Sequence, residues 1–122
     1  MRILLIDDEA DVREVTQLSL GVVGGMEVDE ASGGREGIEK ALAAPPDAIL
    51  LDRTMPGMDG VATFHALRER PELRGVPIIF LTASAMPRDV DELLAMGATG
   101  VITKPFQPMT LAAEVRRILE RR

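Results

Sequence analysis

The chain has 122 residues, 46% of them apolar and 28% charged, a size and balance suited to one soluble domain around one hydrophobic core. A net charge of −6 disfavours nucleic-acid binding through the bulk field, and the shortage of aromatics (three Phe, no Trp or Tyr) removes a base-stacking platform. With no Cys and a single His, His65, there is no disulfide, no thiol nucleophile, no Cys-based zinc site and no multi-histidine metal centre.

Apolar runs alternate with helical patterns from the first residues onward. The run 3–6 ("ILLI") reads as a strand and ends on Asp7, Asp8 and Glu9. Val12, Val15, Leu18 and Val22 then space the apolar face of a helix stopped by Gly24-Gly25. A second strand is read at 27–31. Its helix carries Ile38, Ala41 and Leu42 and is closed by Pro45-Pro46. Strands at 48–52 and 77–82 are continuous apolar runs, as expected where both faces are covered. Between them Val61, Phe64 and Leu67 mark a third helix that stops near Pro71. A fourth carries Val90, Leu93 and Leu94, with Gly97 at its end. A last strand at 100–103 leads to a fifth helix that starts near Pro108. It is marked by Leu111, Val115, Ile118 and Leu119, and its terminal arginines suit the helix dipole. Strand and helix repeated five times imply an α/β fold, a parallel sheet with helices on both faces and right-handed crossovers. No run approaches the roughly 20 apolar residues that span a bilayer. The apolar start, cut short by acids, does not read as a signal peptide. These features lead us to expect a cytoplasmic protein with no membrane contact.

In an open parallel sheet, ligands bind at the carboxyl ends of the strands. There the chain places Asp7 and Asp8 after the first strand, Asp52 at the end of the third, Thr82, Ala83 and Ser84 after the fourth, and Lys104-Pro105 after the fifth. Like charges so crowded repel unless a cation lies among them. If the first and third strands are neighbours, Asp7, Asp8 and Asp52 converge as oxygen ligands for a hard divalent ion. Mg2+ is expected, with Mn2+ as a substitute. Lys104 suits a phosphoryl oxygen or Asp52, and the Thr82 hydroxyl can donate to the same group. Carboxylate, metal, lysine and hydroxyl together suit phosphoryl transfer to a carboxylate nucleophile.

The segments "LLIDDEA", "ILLDRTMPGMDG", "IIFLTASA" and "GVITKPF" occur in this order at family-like spacing. Together they resemble the four signatures of the response-regulator receiver domain of two-component signalling, over nearly the whole chain. The resemblance implies one receiver domain over 1–122, with a doubly wound, flavodoxin-like sheet of order 2-1-3-4-5 and five helices. It implies Asp52 as phosphoacceptor, and Asp7, Asp8, Asp52 and the Thr54 carbonyl as the Mg2+ ligands. Thr82, Lys104 and the backbone N–H groups of Thr54 and Ala83 would hold the phosphoryl group. It further implies a cis peptide before Pro105 and a turn eased by Gly57. The donor would be a histidine kinase or phosphotransfer protein, and the reader a downstream protein or output domain. On this reading the chain is a switch with slow self-dephosphorylation rather than an enzyme, and it makes no direct nucleic-acid contact.

The chain departs from the family where an aromatic residue often stands, three positions before the lysine: Val101 occupies it. A stiff β-branched side chain has no ring to swing. Any signal is therefore expected to pass through the loop after the fourth strand and the fourth helix, or to be weaker. Thr54 and Ser84, two residues past Asp52 and Thr82, offer no acid or amide to orient a hydrolytic water. "GATGVI" lacks the acidic pair of the DNA-binding subfamily's dimer face. Two other functions compete. A phosphatase of the haloacid-dehalogenase type would need a second acid where Thr54 stands, and room for a cap domain. A receiver-like scaffold indifferent to phosphate would have little use for Asp7, Asp8, Asp52, Thr82 and Lys104 together. The blander readings are a pair of dipole-friendly acids for Asp7 and Asp8, a satisfied strand-end hydroxyl for Thr82, an exposed helix residue for His65 and gap filling for the methionines. "SGGREG" does not follow the first strand and misses the dinucleotide pattern.

Overall fold

A computed structural model describes residues 1–121. Five strands form one parallel sheet: β1 (Arg2–Ile6), β2 (Glu27–Ala31), β3 (Ala48–Asp52), β4 (Ile78–Thr82) and β5 (Gly100–Thr103), in the order β2-β1-β3-β4-β5. The helices are α1 (Ala10–Thr16), α2 (Gly34–Ala43), α3 (Gly60–Arg68), α4 (Pro87–Ala95) and α5 (Leu111–Glu120). A short 3-10 turn, Pro71–Leu73, follows α3. The doubly wound topology and strand order expected from the sequence are those observed, and Arg122 lies outside the described residues.

The strands form because their side chains are buried on both faces. Every residue of β3 and β4 is buried. Alternate residues divide between two apolar layers, since successive strand side chains point to opposite faces. Leu4, Ile6, Ile49, Leu51, Ile78 and Phe80 pack against Ala41 of α2, Phe64 and Leu67 of α3 and Leu93 of α4. Ile3, Leu5, Leu50, Ile79, Leu81 and Ile102 pack against Leu20 and against Leu111, Ala112 and Val115 of α5. The edge strand β2 is half-buried and polar up to its last residue, Ala31. The helices stop where breakers predict: α2 caps at Ala44 before Pro45, and α4 caps at Met96 with Gly97 beyond it at φ +109°.

The first helix departs from the expected pattern. After Thr16 it widens into a π-helical segment, Gln17–Val23, in which the Gly24 N–H reaches back five residues to the Ser19 carbonyl at 3.0 Å. The wider turn rotates the segment away from a 3.6-residue register. Val15, Leu18 and Val22, expected inside, are 38%, 57% and 77% exposed; Thr16, Ser19 and Leu20 are buried in their place. Contacts with the start of α5 set this orientation. Ser19 Oγ donates to the Pro108 carbonyl, and Leu20 joins the Leu111–Ala112–Val115 layer.

Candidate functional site

The register of the sheet brings the predicted residues to one edge. In β1 and β3, Ile6 lies opposite Leu51, so Asp7 and Asp52 leave neighbouring strands side by side. On the far side of β3, Asp52 lies opposite Leu81, and Thr82 pairs with Thr103, one residue before Lys104. Carboxylate oxygens of Asp7, Asp8, Glu9 and Asp52 lie within 4.8 Å of one another. Glu9 was not singled out from the sequence, although it belongs to the same acidic run.

Lys104 crosses this cluster. Its Nζ donates to Asp7 Oδ2 at 3.0 Å and lies 3.3 Å from Asp52 Oδ1 and 3.8 Å from Glu9 Oε1. Asp7 is fully buried, and Asp52 and Thr82 are each 4% exposed. Burial pushes the Asp52 carboxyl up to about 6, and the charge of Asp7 adds to the rise; Lys104 and the Thr54 N–H pull in the other direction. Burial works to lower the Lys104 ammonium, but its hydrogen bond to Asp7 and the charges of Asp7 and Asp52 outweigh it, so the net shift is upward.

Two buried oxygens, Asp8 Oδ1 and Asp52 Oδ2, have no hydrogen-bond partner among the described residues. Buried carboxylate oxygens without a donor are costly. Their presence inside an all-oxygen cluster fits a hard divalent cation, which would satisfy both. The other Asp52 oxygen, Oδ1, is held by Lys104 and accepts from the Thr54 N–H at 3.4 Å.

The surrounding loops are shaped for close approach. Between β3 and α3, Gly57 has φ +76°, which other residues rarely adopt. A Cβ on Gly60 would lie 2.3 Å from the Asp52 carbonyl oxygen, so the chain folds back on the acid with no side chain between. Asp59 caps α3 by accepting from the Ala62 N–H at 2.8 Å. After β4, Thr82 Oγ1 accepts from the Ser84 N–H at 3.2 Å, and Ser84 Oγ donates to Asp89 Oδ2 at 2.5 Å, on the first turn of α4. The Lys104–Pro105 peptide is cis. Beside Lys104, a groove of about 440 Å³ runs between Val12 and Val15 of α1, exposed Ala83, and Pro105 and Phe106. Val101 is half-buried and lines a separate cleft of about 310 Å³ with Val90, Leu94 and Ile118.

Arg13 also belongs to the site and was not legible from the sequence. Its Nη1 donates to the Asp7 carbonyl oxygen at 2.9 Å, and its Nε donates to Glu30 Oε1 at 3.4 Å. Neither partner follows from local spacing, since one is backbone and the other stands on the edge strand.

Known proteins share both sequence and fold. The chain is 37% identical over 120 residues to the transcriptional regulatory protein ResD of Bacillus subtilis, covering 98% of this chain and 48% of that protein. A probable transcriptional regulator, ycf27, of Porphyridium aerugineum is also 37% identical over 120 residues, with the same shares covered. The chain thus spans about half the length of the curated relatives it matches. The chemotaxis response regulator CheY4 of Vibrio cholerae superposes with a TM-score of 0.89 at 36% identity, covering 96% of this chain and 97% of that one. The family model of the response regulator receiver domain matches residues 3–116, and with the sheet order and the acidic edge this places the chain in the receiver family of two-component phosphorelay signalling.

Proposed function

We propose that this chain accepts a phosphoryl group on Asp52 from the phosphohistidine of a histidine kinase or phosphotransfer protein, and that the phosphorylated form binds a downstream protein or output domain differently. The observation that carries the reading is the asymmetry of Asp52: Oδ1 is held by Lys104 and Thr54, while Oδ2 is buried and unpartnered. A carboxylate oxygen of Asp52 attacks phosphorus, the bond from phosphorus to the donor nitrogen breaks, and the imidazole leaves with the electron pair. Asp52 must be ionised to attack; Lys104 favours that form against burial. Asp7, Asp8, Asp52 and the Thr54 carbonyl would hold Mg2+ or Mn2+, which supplies charge neutralisation for the phosphoryl oxygens. Lys104, the Thr82 hydroxyl and the N–H groups of Thr54 and Ala83 stabilise the same oxygens. No dedicated base is needed, because a carboxylate nucleophile carries no proton to remove.

The groove lined by Val12, Val15, Pro105 and Phe106 ends at Lys104 and suits an apolar helix face of the donor. Leu18, in the π-helical segment that follows α1, is a further exposed apolar side chain. Slow self-dephosphorylation belongs to the same reading. Residues 1–122 act as one receiver domain in the cytoplasm, without direct contact to nucleic acid or membrane. Among the described residues no helix is long and apolar enough to cross a membrane.

Intact mass after incubation with Mg2+ and acetyl phosphate tests the proposal. One added phosphoryl group is expected, absent in Asp52→Asn and absent with chelator. Mg2+ binding without phosphate from acetyl phosphate or a phosphohistidine donor protein would overturn it, and absence of both would favour a phosphate-independent scaffold.

A further inference from the structure

Asp7 is satisfied at every polar atom. Its N–H donates to the Ala31 carbonyl at 3.1 Å, Oδ1 accepts from the Glu9 N–H at 2.9 Å, and Oδ2 accepts from Lys104. The fourth atom, its carbonyl oxygen, accepts from Arg13 Nη1 at 2.9 Å. That carbonyl belongs to the peptide joining Asp7 to Asp8, so its direction sets where the Asp8 side chain starts. Arg13 is anchored in turn. Its Nε meets Glu30 Oε1, while Gln17 Nε2 donates to Glu30 Oε2 at 3.0 Å and Lys40 Nζ donates to the Glu30 carbonyl at 2.5 Å. Three helical segments thus converge on one residue of the edge strand, and Arg13 carries their rigidity to the acid pair. Its side chain is 19% exposed, too enclosed for an ordinary surface arginine.

We infer that Arg13 is a positioning residue for the metal site: bridging Glu30 and the Asp7 carbonyl, it holds the Asp7–Asp8 peptide so that both carboxylates face Asp52. The inference rests on the metal-binding reading of Asp7, Asp8 and Asp52. Residues that orient ligands without touching the metal change affinity when removed. Arg13 is also a cation near an acidic site, and charge alone makes the opposite demand: deleting it should tighten Mg2+ binding.

The two effects differ in sign, so Arg13→Gln decides between them. Mg2+ affinity is read by calorimetry on the whole chain, with thermal stability in chelator measured in parallel. About tenfold weaker Mg2+ binding is expected. Arg13→Lys keeps the charge but cannot span both partners, and is expected to fall between wild type and Arg13→Gln. In metal-free protein, the Glu9 amide is expected to exchange faster in Arg13→Gln than in wild type. Unchanged or tighter Mg2+ binding by folded Arg13→Gln would overturn the inference. Should Arg13→Gln fail to fold, Arg13→Lys binding Mg2+ as tightly as wild type would do so instead. Wild-type protein that binds no Mg2+ defeats the metal-site reading itself; unaltered Glu9 exchange then also removes the positioning role.

Discussion

Asp52 is an acid held where water scarcely reaches it, beside a second acid that is fully buried. Folding raises its pKa from 3.8 to about 6, so between those values the folded chain keeps a proton that the unfolded chain releases. Metal-free stability should therefore fall as pH rises from about 4 to about 6 and level off above that. The contribution is at most about 3 kcal/mol, from about 1.4 kcal/mol for each unit of pKa. Asp52→Asn carries no such charge. Urea unfolding in chelator should find it more stable than wild type at pH 8, by about 1–3 kcal/mol, with the gap closing toward pH 4. An equal gap at both pH values would show that burial of the charge is not its cause. The acids and Lys104 were legible in the sequence because each ends a strand, and parallel strands bring their ends to one edge. Arg13 was not legible, because a backbone carbonyl and a glutamate on the edge strand leave no trace in local spacing.

At the scale of elements, strands were easier to read than the first helix. A continuous apolar run such as 48–52 has few alternatives once it is short and bounded by prolines or acids. Val12, Val15, Leu18 and Val22 fit a 3.6-residue face equally well, yet the π-helical turn and the Ser19–Pro108 hydrogen bond rotate most of that face outward. Periodicity reports a face only while the helix keeps its pitch. Leu20→Ala should cost about 2–5 kcal/mol, since Leu20 is fully buried against α5. Leu18→Ser should stay within about 0.5 kcal/mol of wild type. Denaturant unfolding of the pair distinguishes the observed face from the expected one, which would reverse the order.

Across the whole molecule, a change at Asp52 must reach a surface to be read. Val101 offers no ring to carry it, and it sits half-buried beside an open cleft. A polar chain does leave the site: Thr82 Oγ1 holds the Ser84 N–H, and Ser84 Oγ holds Asp89 at the start of α4. On the proposed function, drawing the Thr82 hydroxyl toward a phosphoryl group would load that chain. Hydrogen exchange with and without phosphate should change in the loop after β4 and in α4. Identical exchange there in both states would exclude this route. On the proposed function, a signal leaving by α4 and a donor seated against α1 would use clefts with no residue in common.

Gly60 has neither charge nor side chain, yet the Asp52 carbonyl oxygen and the Arg53 backbone fill the space where a Cβ would stand. Alanine, the smallest replacement, already brings a carbon against main-chain atoms that cannot swing aside. The position therefore admits no side chain without moving the backbone of Asp52 and Arg53. A residue with no chemistry of its own is thus as tightly constrained as the acid it shelters.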